Sequence, residues 1–191
     1  MTRIIGGSAG GRRLRTPPGE STRPTSDRVR EALFSALESQ LGSLTGLRFL
    51  DLYAGSGAVG LEARSRGAGA ITAVESDRRT ARLVGENAAS LGFDDVEVRA
   101  HPVARVLGGG PGAPYDVVFA DPPYPLDNPA LEEVLALLVQ HDWVADGSLV
   151  VVERSARTPE PAWPEGLVRV REKEYGETVL WYVRADSSVD D

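Results

Sequence analysis

Three observations predict an α/β fold, a mostly parallel sheet flanked by helices. Five short apolar runs alternate with helical stretches between residues 48 and 154. The first of these runs breaks into a glycine turn that opens a helix. After residue 154 two extended runs follow one another, 167–175 and 178–184, joined at Gly176-Glu177. Strands separated by helices imply parallel neighbours with right-handed crossovers, whereas the final pair reads as an antiparallel closing hairpin. Seven strands in one sheet are therefore expected.

The elements follow in order. Residues 3–5 and 12–15 are short extended pieces around the glycine-rich 6–11, which predicts a hairpin or flexible arm. Residues 16–25 form a proline-rich linker. A helix is expected over 26–40, where Val29, Leu33, Phe34, Leu37 and Leu41 make one apolar stripe. Strands are expected at 48–53, 70–75, 96–99, 115–120 and 148–154, with helices at 58–66, 77–91, 103–107 and 128–140 between them. Asn128 is a candidate cap for the last helix, with Pro129 at its first position. Residues 186–191 are expected to fray.

At 191 residues with 41% hydrophobic and 26% charged residues, the composition is that of one soluble domain. No transmembrane-length apolar run and no basic-then-apolar leader is visible, which predicts a cytoplasmic location without a membrane partner. The absence of cysteine excludes disulfides, thiolate metal sites and cysteine nucleophiles, and two histidines argue against a histidine-rich metal site. The net charge of −7 is unevenly placed. Arg3, Arg12, Arg13 and Arg15 stand in the first 15 residues with no acid among them. An acidic body with a basic amino-terminal arm fits a protein that touches phosphates at one edge, and these four arginines are the candidate phosphate contacts.

The turn after the first parallel strand is Tyr53-Ala54-Gly55-Ser56-Gly57-Ala58-Val59-Gly60. Its glycines let backbone amides approach a ligand, and the helix that follows favours negative charge at its amino end. Glu75 lies twenty residues beyond Gly55, at the end of the next strand, where an acid accepts both hydroxyls of a ribose. Nicotinamide dinucleotides and S-adenosylmethionine both use this arrangement. Asp51 inside the strand, positioned for a methionine ammonium, favours S-adenosylmethionine, as does the closing hairpin. The candidate cofactor residues are Asp51, Ala54, Gly55, Ser56, Gly57, Glu75 and Ser76.

Asp121-Pro122-Pro123-Tyr124 ends the run 115–120 at the sheet edge where open α/β folds bind ligands. Two prolines remove two backbone donors, which turns the Asp121 and Pro122 carbonyls toward a ligand. An acid, outward carbonyls and a flat ring suit a planar heterocycle with an exocyclic amine. Such an amine is a poor nucleophile because its lone pair is delocalised into the ring. Accepting one hydrogen on the Asp121 carboxylate and the other on the Pro122 carbonyl localises that pair. Tyr124 would stack on a base turned out of its helix. Neither a metal nor a covalent intermediate is required.

The sequence resembles the bacterial methyltransferases that modify the N2 amine of guanine 966 in 16S ribosomal RNA. The resemblance runs through Arg3-Ile4-Ile5-Gly6-Gly7, Gly11-Arg12-Arg13-Leu14 and the segment from Arg23-Pro24-Thr25-Ser26-Asp27-Arg28 to Phe34. It continues through Asp51 to Gly57, Val74-Glu75-Ser76-Asp77 and Asp121 to Tyr124. It implies a Rossmann-like class I S-adenosylmethionine-dependent methyltransferase fold with an N-terminal hairpin and helix extension. Residues 1–25 would be a basic arm and linker, 26–185 the methyltransferase domain and 186–191 a disordered tail. It also implies that Thr25 and Arg28 help to close the cofactor pocket, that the partner is 16S ribosomal RNA, a 30S particle or an assembly intermediate, and that the protein is a monomer. One departure is visible: many methyltransferases carry an acid after the third strand for the adenine amine, but residues 99–104 hold none. Two other readings stand beside this one, an N6-adenine DNA methyltransferase and an inactive RNA-binding or assembly module. The first would need a target-recognition domain for which 191 residues leave no room.

Overall fold

A computed structural model describes residues 2–18 and 26–189. The chain opens with a small antiparallel hairpin, β1 (Thr2–Arg3) and β2 (Arg13–Leu14). Helix α1 (Asp27–Leu41) follows, capped by Ser26, whose side chain accepts the Val29 amide. Then come β3 (Arg48–Leu52), α2 (Ala58–Ser65), β4 (Ala70–Val74), α3 (Arg78–Ser90), β5 (Val96–Arg99), α4 (Val103–Gly108), β6 (Tyr115–Ala120) and α5 (Asn128–Gln140). The chain ends with β7 (Val144–Ser155), β8 (Leu167–Tyr175), β9 (Thr178–Ala185) and a 3₁₀ turn at Ser187–Val189.

The main sheet has seven strands in the order β5-β4-β3-β6-β7-β9-β8. The first five are parallel, and β9 enters antiparallel between β7 and β8. The central strands are buried on both faces, which explains their continuous apolar sequences such as Val117-Val118-Phe119-Ala120. One face carries Phe49, Val117 and Val151, packed with Phe34 and Leu37 of α1 and Val59 and Ala63 of α2; the other carries Leu50, Val118 and Val150, packed with Val106 and Leu107 of α4 and Leu135 and Leu138 of α5. β8 is an outer strand whose exposed residues are mostly charged, Arg169, Arg171, Glu172, Lys173 and Glu174, a composition that discourages edge-to-edge pairing. Among the described residues no helix is long and apolar enough to cross a membrane.

Three details depart from the sequence-based expectation. Asp127, not Asn128, caps α5: its carboxylate accepts the Ala130 amide at 3.0 Å, and Asn128 is already helical. β7 starts at Val144, four residues before the apolar run, because an irregularity in its pairing with β6 absorbs Asp146-Gly147. Ser148 holds that irregularity, donating to the Tyr115 carbonyl at 2.7 Å and accepting the Ala145 amide at 3.0 Å. Within the tail expected to fray, the 3₁₀ turn is docked: Asp146 accepts both the amide and the hydroxyl of Ser187.

The amino-terminal hairpin lies against the body through one buried carboxylate. Glu62 on α2 accepts the amides of Ile5 at 2.8 Å and Gly6 at 2.9 Å. The same carboxylate pairs with Arg66 at 3.0 Å and with the fully buried Arg30 of α1 at 3.5 Å. Arg30 in turn donates to the Arg3 carbonyl. Ser65 adds a second grip, accepting the Ala9 amide and donating to the Gly6 carbonyl. Gly7 is required there, because a Cβ on it would come within 2.0 Å of the Ser65 carbonyl oxygen.

Removing one partner of a buried ion pair strands the other charge, which costs about 3–5 kcal/mol. Glu62→Ala is therefore expected to lower unfolding stability by about that amount in urea, and Glu62→Gln by less. Amide exchange at Ile5 and Gly6 should accelerate in both variants. Unchanged stability and unchanged exchange would show that the hairpin is held elsewhere.

Candidate active site

Register brings four acids to one edge of the sheet. Leu52 is level with Val74 and Ala120, and Ala120 with Val152. The next residue along each strand is Tyr53, Glu75, Asp121 and Glu153, so these stand side by side at the carboxyl edge. Asp51 lies one row deeper on β3, level with Ala73 and Phe119.

The glycine turn crosses this edge. Tyr53 takes a left-handed conformation (φ 58°), uncommon for a residue with a side chain and found where a turn is tightly held. Just beyond it the Ala54 amide donates to the Val74 carbonyl at 2.9 Å, which keeps the start of the turn on β4. The three glycines then have separate reasons. A Cβ at Gly55 would meet nothing within 4 Å among the described residues, so this position opens onto free space. A Cβ at Gly57 would strike Val84 of α3 at 2.8 Å, and one at Gly60 would crowd Asp51 and Ile71 at 3.2 Å. Gly55 faces open space, while Gly57 and Gly60 let the start of α2 pack closely on α3 and on the sheet.

The acids are managed individually. Glu75 accepts the Gly55 amide on Oε1 at 3.0 Å and the Asp77 amide on Oε2 at 2.9 Å. Each oxygen keeps a further acceptor position, so the carboxylate can receive two hydroxyls while holding the turn. Asp51 is 1% exposed and accepts the Gly60 amide at 2.9 Å on Oδ2. Burial pushes its carboxyl up to about 8; the Gly60 amide opposes that rise and Glu75 adds to it. Asp121 also lies well above the ordinary carboxylate range, because of desolvation and then its neighbours Glu153 and Asp51, with Arg154 acting in the opposite direction.

Beyond Asp121, Pro122 is buried and Tyr124 is 92% exposed, a bare ring at the mouth of the edge. The Leu126 amide closes this loop on the Pro123 carbonyl at 2.9 Å. Asp51, Ala54, Gly55, Ser56, Gly57, Glu75, Asp121, Pro122 and Tyr124 are thus gathered along the carboxyl edge of β3, β4 and β6. Ser76 is exposed beside Glu75. Arg28 is exposed on the first turn of α1, and Thr25 lies outside the described residues. His101 is an exposed loop residue.

The arm arginines divide into two groups. Arg3 pairs with Asp27 at 3.2 Å, and Arg12 donates to the Ser90 carbonyl at 2.6 Å. Arg13 and Arg15 are exposed. Where the arm leaves the hairpin, a groove of about 570 Å³ separates it from α3, lined by Leu14, Arg15, Pro18, Arg79 and Leu83 among others.

The family model described as Conserved hypothetical protein 95 matches residues 2–184, nearly the whole chain. The chain belongs to this family, that of the ribosomal RNA small subunit methyltransferases D. It is 38% identical over 175 residues to Ribosomal RNA small subunit methyltransferase D of Escherichia coli K12, covering 92% of this chain and 85% of that one. The protein of the same name from Haemophilus influenzae is 34% identical over 177 residues, covering 91% and 89%. Among solved structures, yhhF of Escherichia coli superposes with a TM-score of 0.84 at 35% identity, over 97% of this chain and 98% of that one.

Three residues important to the site in this family member escape a reading of the sequence. Asn87, buried on α3, accepts the Arg15 amide and donates to the carbonyls of Arg15 and Ser56, which ties the arm to the glycine turn. Glu62 ties the hairpin to α2, as described above. Arg154 lies at the end of β7 beside Asp121. For Arg154 alone a signal was present: a charge closing the apolar run Leu149-Val150-Val151-Val152.

The shift at Asp51 has a consequence for stability. Its carboxyl titrates at about 8 when folded against 3.8 ordinarily, so between those values the folded state binds more protons than the unfolded one. The Asp51 contribution is therefore favourable below pH about 4 and is lost as pH rises toward 8. Asp51→Asn keeps an acceptor for Gly60 and cannot ionise. Urea midpoints from pH 5 to 9 are expected to fall more steeply for the native protein than for this variant. Parallel curves would contradict the burial of an ionisable Asp51.

Proposed function

We propose that this protein transfers the methyl group of S-adenosylmethionine to the N2 amine of guanine 966 in 16S ribosomal RNA, on a small-subunit particle or an assembly intermediate. The observation that carries this reading is the placement of Asp121-Pro122 at the strand end beside the glycine turn, in a chain of this family. Open space before Gly55, a carboxylate at Glu75 with free acceptor positions and a proton-holding Asp51 beneath the turn fit a ligand with a ribose and a cationic amino-acid end. Glu75 would hold the ribose hydroxyls; Asp51, Ala54, Gly55, Ser56 and Gly57 would hold the amino-acid end. Bound there, the cofactor supplies an electrophilic methyl group on a sulfonium.

The chain's own groups prepare the acceptor. Asp121 and the Pro122 carbonyl each take one hydrogen of the base amine, which localises the nitrogen lone pair and fixes its direction. Tyr124, exposed on the loop, stacks on the base and holds it out of its helix. Such catalysis is positioning and electrostatics, and these groups need no metal to act. Arg13 and Arg15 offer cations to the phosphate backbone, while Arg3 and Arg12 act more through the shape of the arm, since each has a partner within the chain. In this reading residues 1–25 are the RNA arm and 26–185 the catalytic body, and the protein works as a cytoplasmic monomer.

The test uses tritiated S-adenosylmethionine with unmodified 30S particles, naked 16S ribosomal RNA and DNA, followed by nuclease digestion and nucleoside analysis. Label is expected in N2-methylguanosine from ribosomal RNA. Label in N6-methyladenosine from DNA would replace the proposal with its rival, and no label in any substrate would favour an assembly module. Asp121→Ala is expected to slow single-turnover transfer by about 100-fold or more, the effect of losing one preorganised polar contact. Tyr124→Ala should weaken substrate capture by roughly 1–3 kcal/mol, the worth of stacking on one base, and Tyr124→Phe should be mild. Transfer at the native rate by Asp121→Ala would put the active site elsewhere.

A further inference from the structure

Arg154 does more than fill space at the end of β7. It is 9% exposed, and its Nη2 donates to the Leu126 carbonyl at 2.9 Å and to Asn128 Oδ1 at 3.1 Å. Leu126 closes the turn after Tyr124, and Asn128 opens α5 while donating to the Pro159 carbonyl at 2.8 Å. One guanidinium thus holds the far end of the Asp121 loop against the neighbouring strand. A neutral donor could make those two bonds. The full charge, together with a buried Nε–H that has no hydrogen-bond partner among the described residues, calls for another explanation.

The explanation lies in what faces Asp121. Glu153 from β7 and Asp51 from β3 are like charges beside it, and Glu75 at the end of β4 bears on Asp51. Arg154 is the cation that opposes them, and it also faces Asp127 at the head of α5 and Tyr53 in the glycine turn. Desolvation, Glu153 and Asp51 all push the Asp121 carboxyl toward its protonated form, and Arg154 limits how far that goes. A protonated carboxyl has one oxygen committed to donating, which suits an amine poorly.

We propose that Arg154 is a positioning residue for methyl transfer: it fixes the loop from Asp121 to Asn128 on β7 and places a positive charge at the Asp121 end of the edge, opposite Asp51 and Glu153. This rests on the methyltransferase reading above. In the transfer, the electron pair of the base nitrogen forms the N–C bond as the C–S bond breaks, and the C–S electrons remain on sulfur. The methylated nitrogen then releases one proton, which the Asp121 carboxylate accepts and passes to solvent. Asp121 can take that proton only if it arrives ionised, so the cation beside it sets the pH range of the reaction.

The full chain is compared with Arg154→Lys, Arg154→Met and Arg154→Gln by two measurements. One is the single-turnover rate as a function of pH, with saturating S-adenosylmethionine and unmodified 30S particles or ribosomal RNA. The other is the ¹³C-carboxyl titration of Asp121 in the free protein, assigned with Asp121→Asn. Removing a neighbouring cation stabilises the protonated acid, so in Arg154→Met the rising limb of the rate profile and the carboxyl midpoint are both expected to move to higher pH by about one unit or more. Arg154→Lys, which keeps the charge, should retain the native midpoint at a reduced rate. Arg154→Gln keeps an amide donor without the charge and should shift as Arg154→Met does; it decides the matter if Arg154→Met does not fold. Native midpoints in either neutral variant would overturn the proposal and leave Arg154 a tether. If the native protein transfers no methyl group, the function reading fails instead, and the carboxyl titration still judges the coupling of Arg154 to Asp121.

Discussion

Four carboxylates on adjoining parallel strands of one sheet, Asp51, Glu75, Asp121 and Glu153, are the constraint around which this structure is arranged. Parallel register puts Glu75, Asp121 and Glu153 in line at the carboxyl edge, with Asp51 one row beneath. Like charges this close, partly removed from water, cannot all ionise freely. Three of the four are met by different local devices. Glu75 takes two backbone amides, Asp51 keeps its proton under Gly60, and Asp121 is set against Arg154. The left-handed turn at Tyr53 and the buried guanidinium are understandable as parts of that arrangement.

The arm belongs to the same arrangement. Glu62 and Ser65 seat the hairpin on α2, the helix that the glycine turn opens. Asn87 bonds at once to Arg15 of the arm and Ser56 of the turn. Asn87 thus links the arm directly to the glycine turn, beside the indirect link through Glu62 and Ser65.

What was legible in the sequence was local. The glycine turn, the acid twenty residues past it and Asp121-Pro122-Pro123-Tyr124 each carry their chemistry within a few neighbouring residues. The alternation of strands with helices, and the final hairpin at Gly176-Glu177, fixed the sheet. What was not legible depends on pairs distant in sequence. Glu62 meets Ile5, Asn87 meets Arg15 and Arg154 meets Leu126 only after folding, and nothing in the local sequence distinguishes Glu62 and Asn87 from solvated polar residues. The misplaced cap of α5 is a smaller case: Asp127 and Asn128 are both good caps, and only the docking of Asn128 against Arg154 and Pro159 selects Asp127. The start of β7 was hidden for a similar reason, since Asp146-Gly147 reads as a turn until Ser148 stitches the irregularity to Tyr115.

The central claim is that Asp51, buried beneath the glycine turn and holding its proton at neutral pH, is made ready for a cationic ligand at this edge. Calorimetric titration with S-adenosylmethionine at pH 7, in buffers of different ionisation enthalpy, counts the protons exchanged on binding. Asp51 titrates at about 8 in the free protein and so holds its proton at neutral pH. A positive charge brought beside it must expel that proton. The account predicts release of about one more proton by the native protein than by Asp51→Asn at pH 7, with the difference vanishing by about pH 9. Equal proton exchange in the two proteins across that range would contradict it.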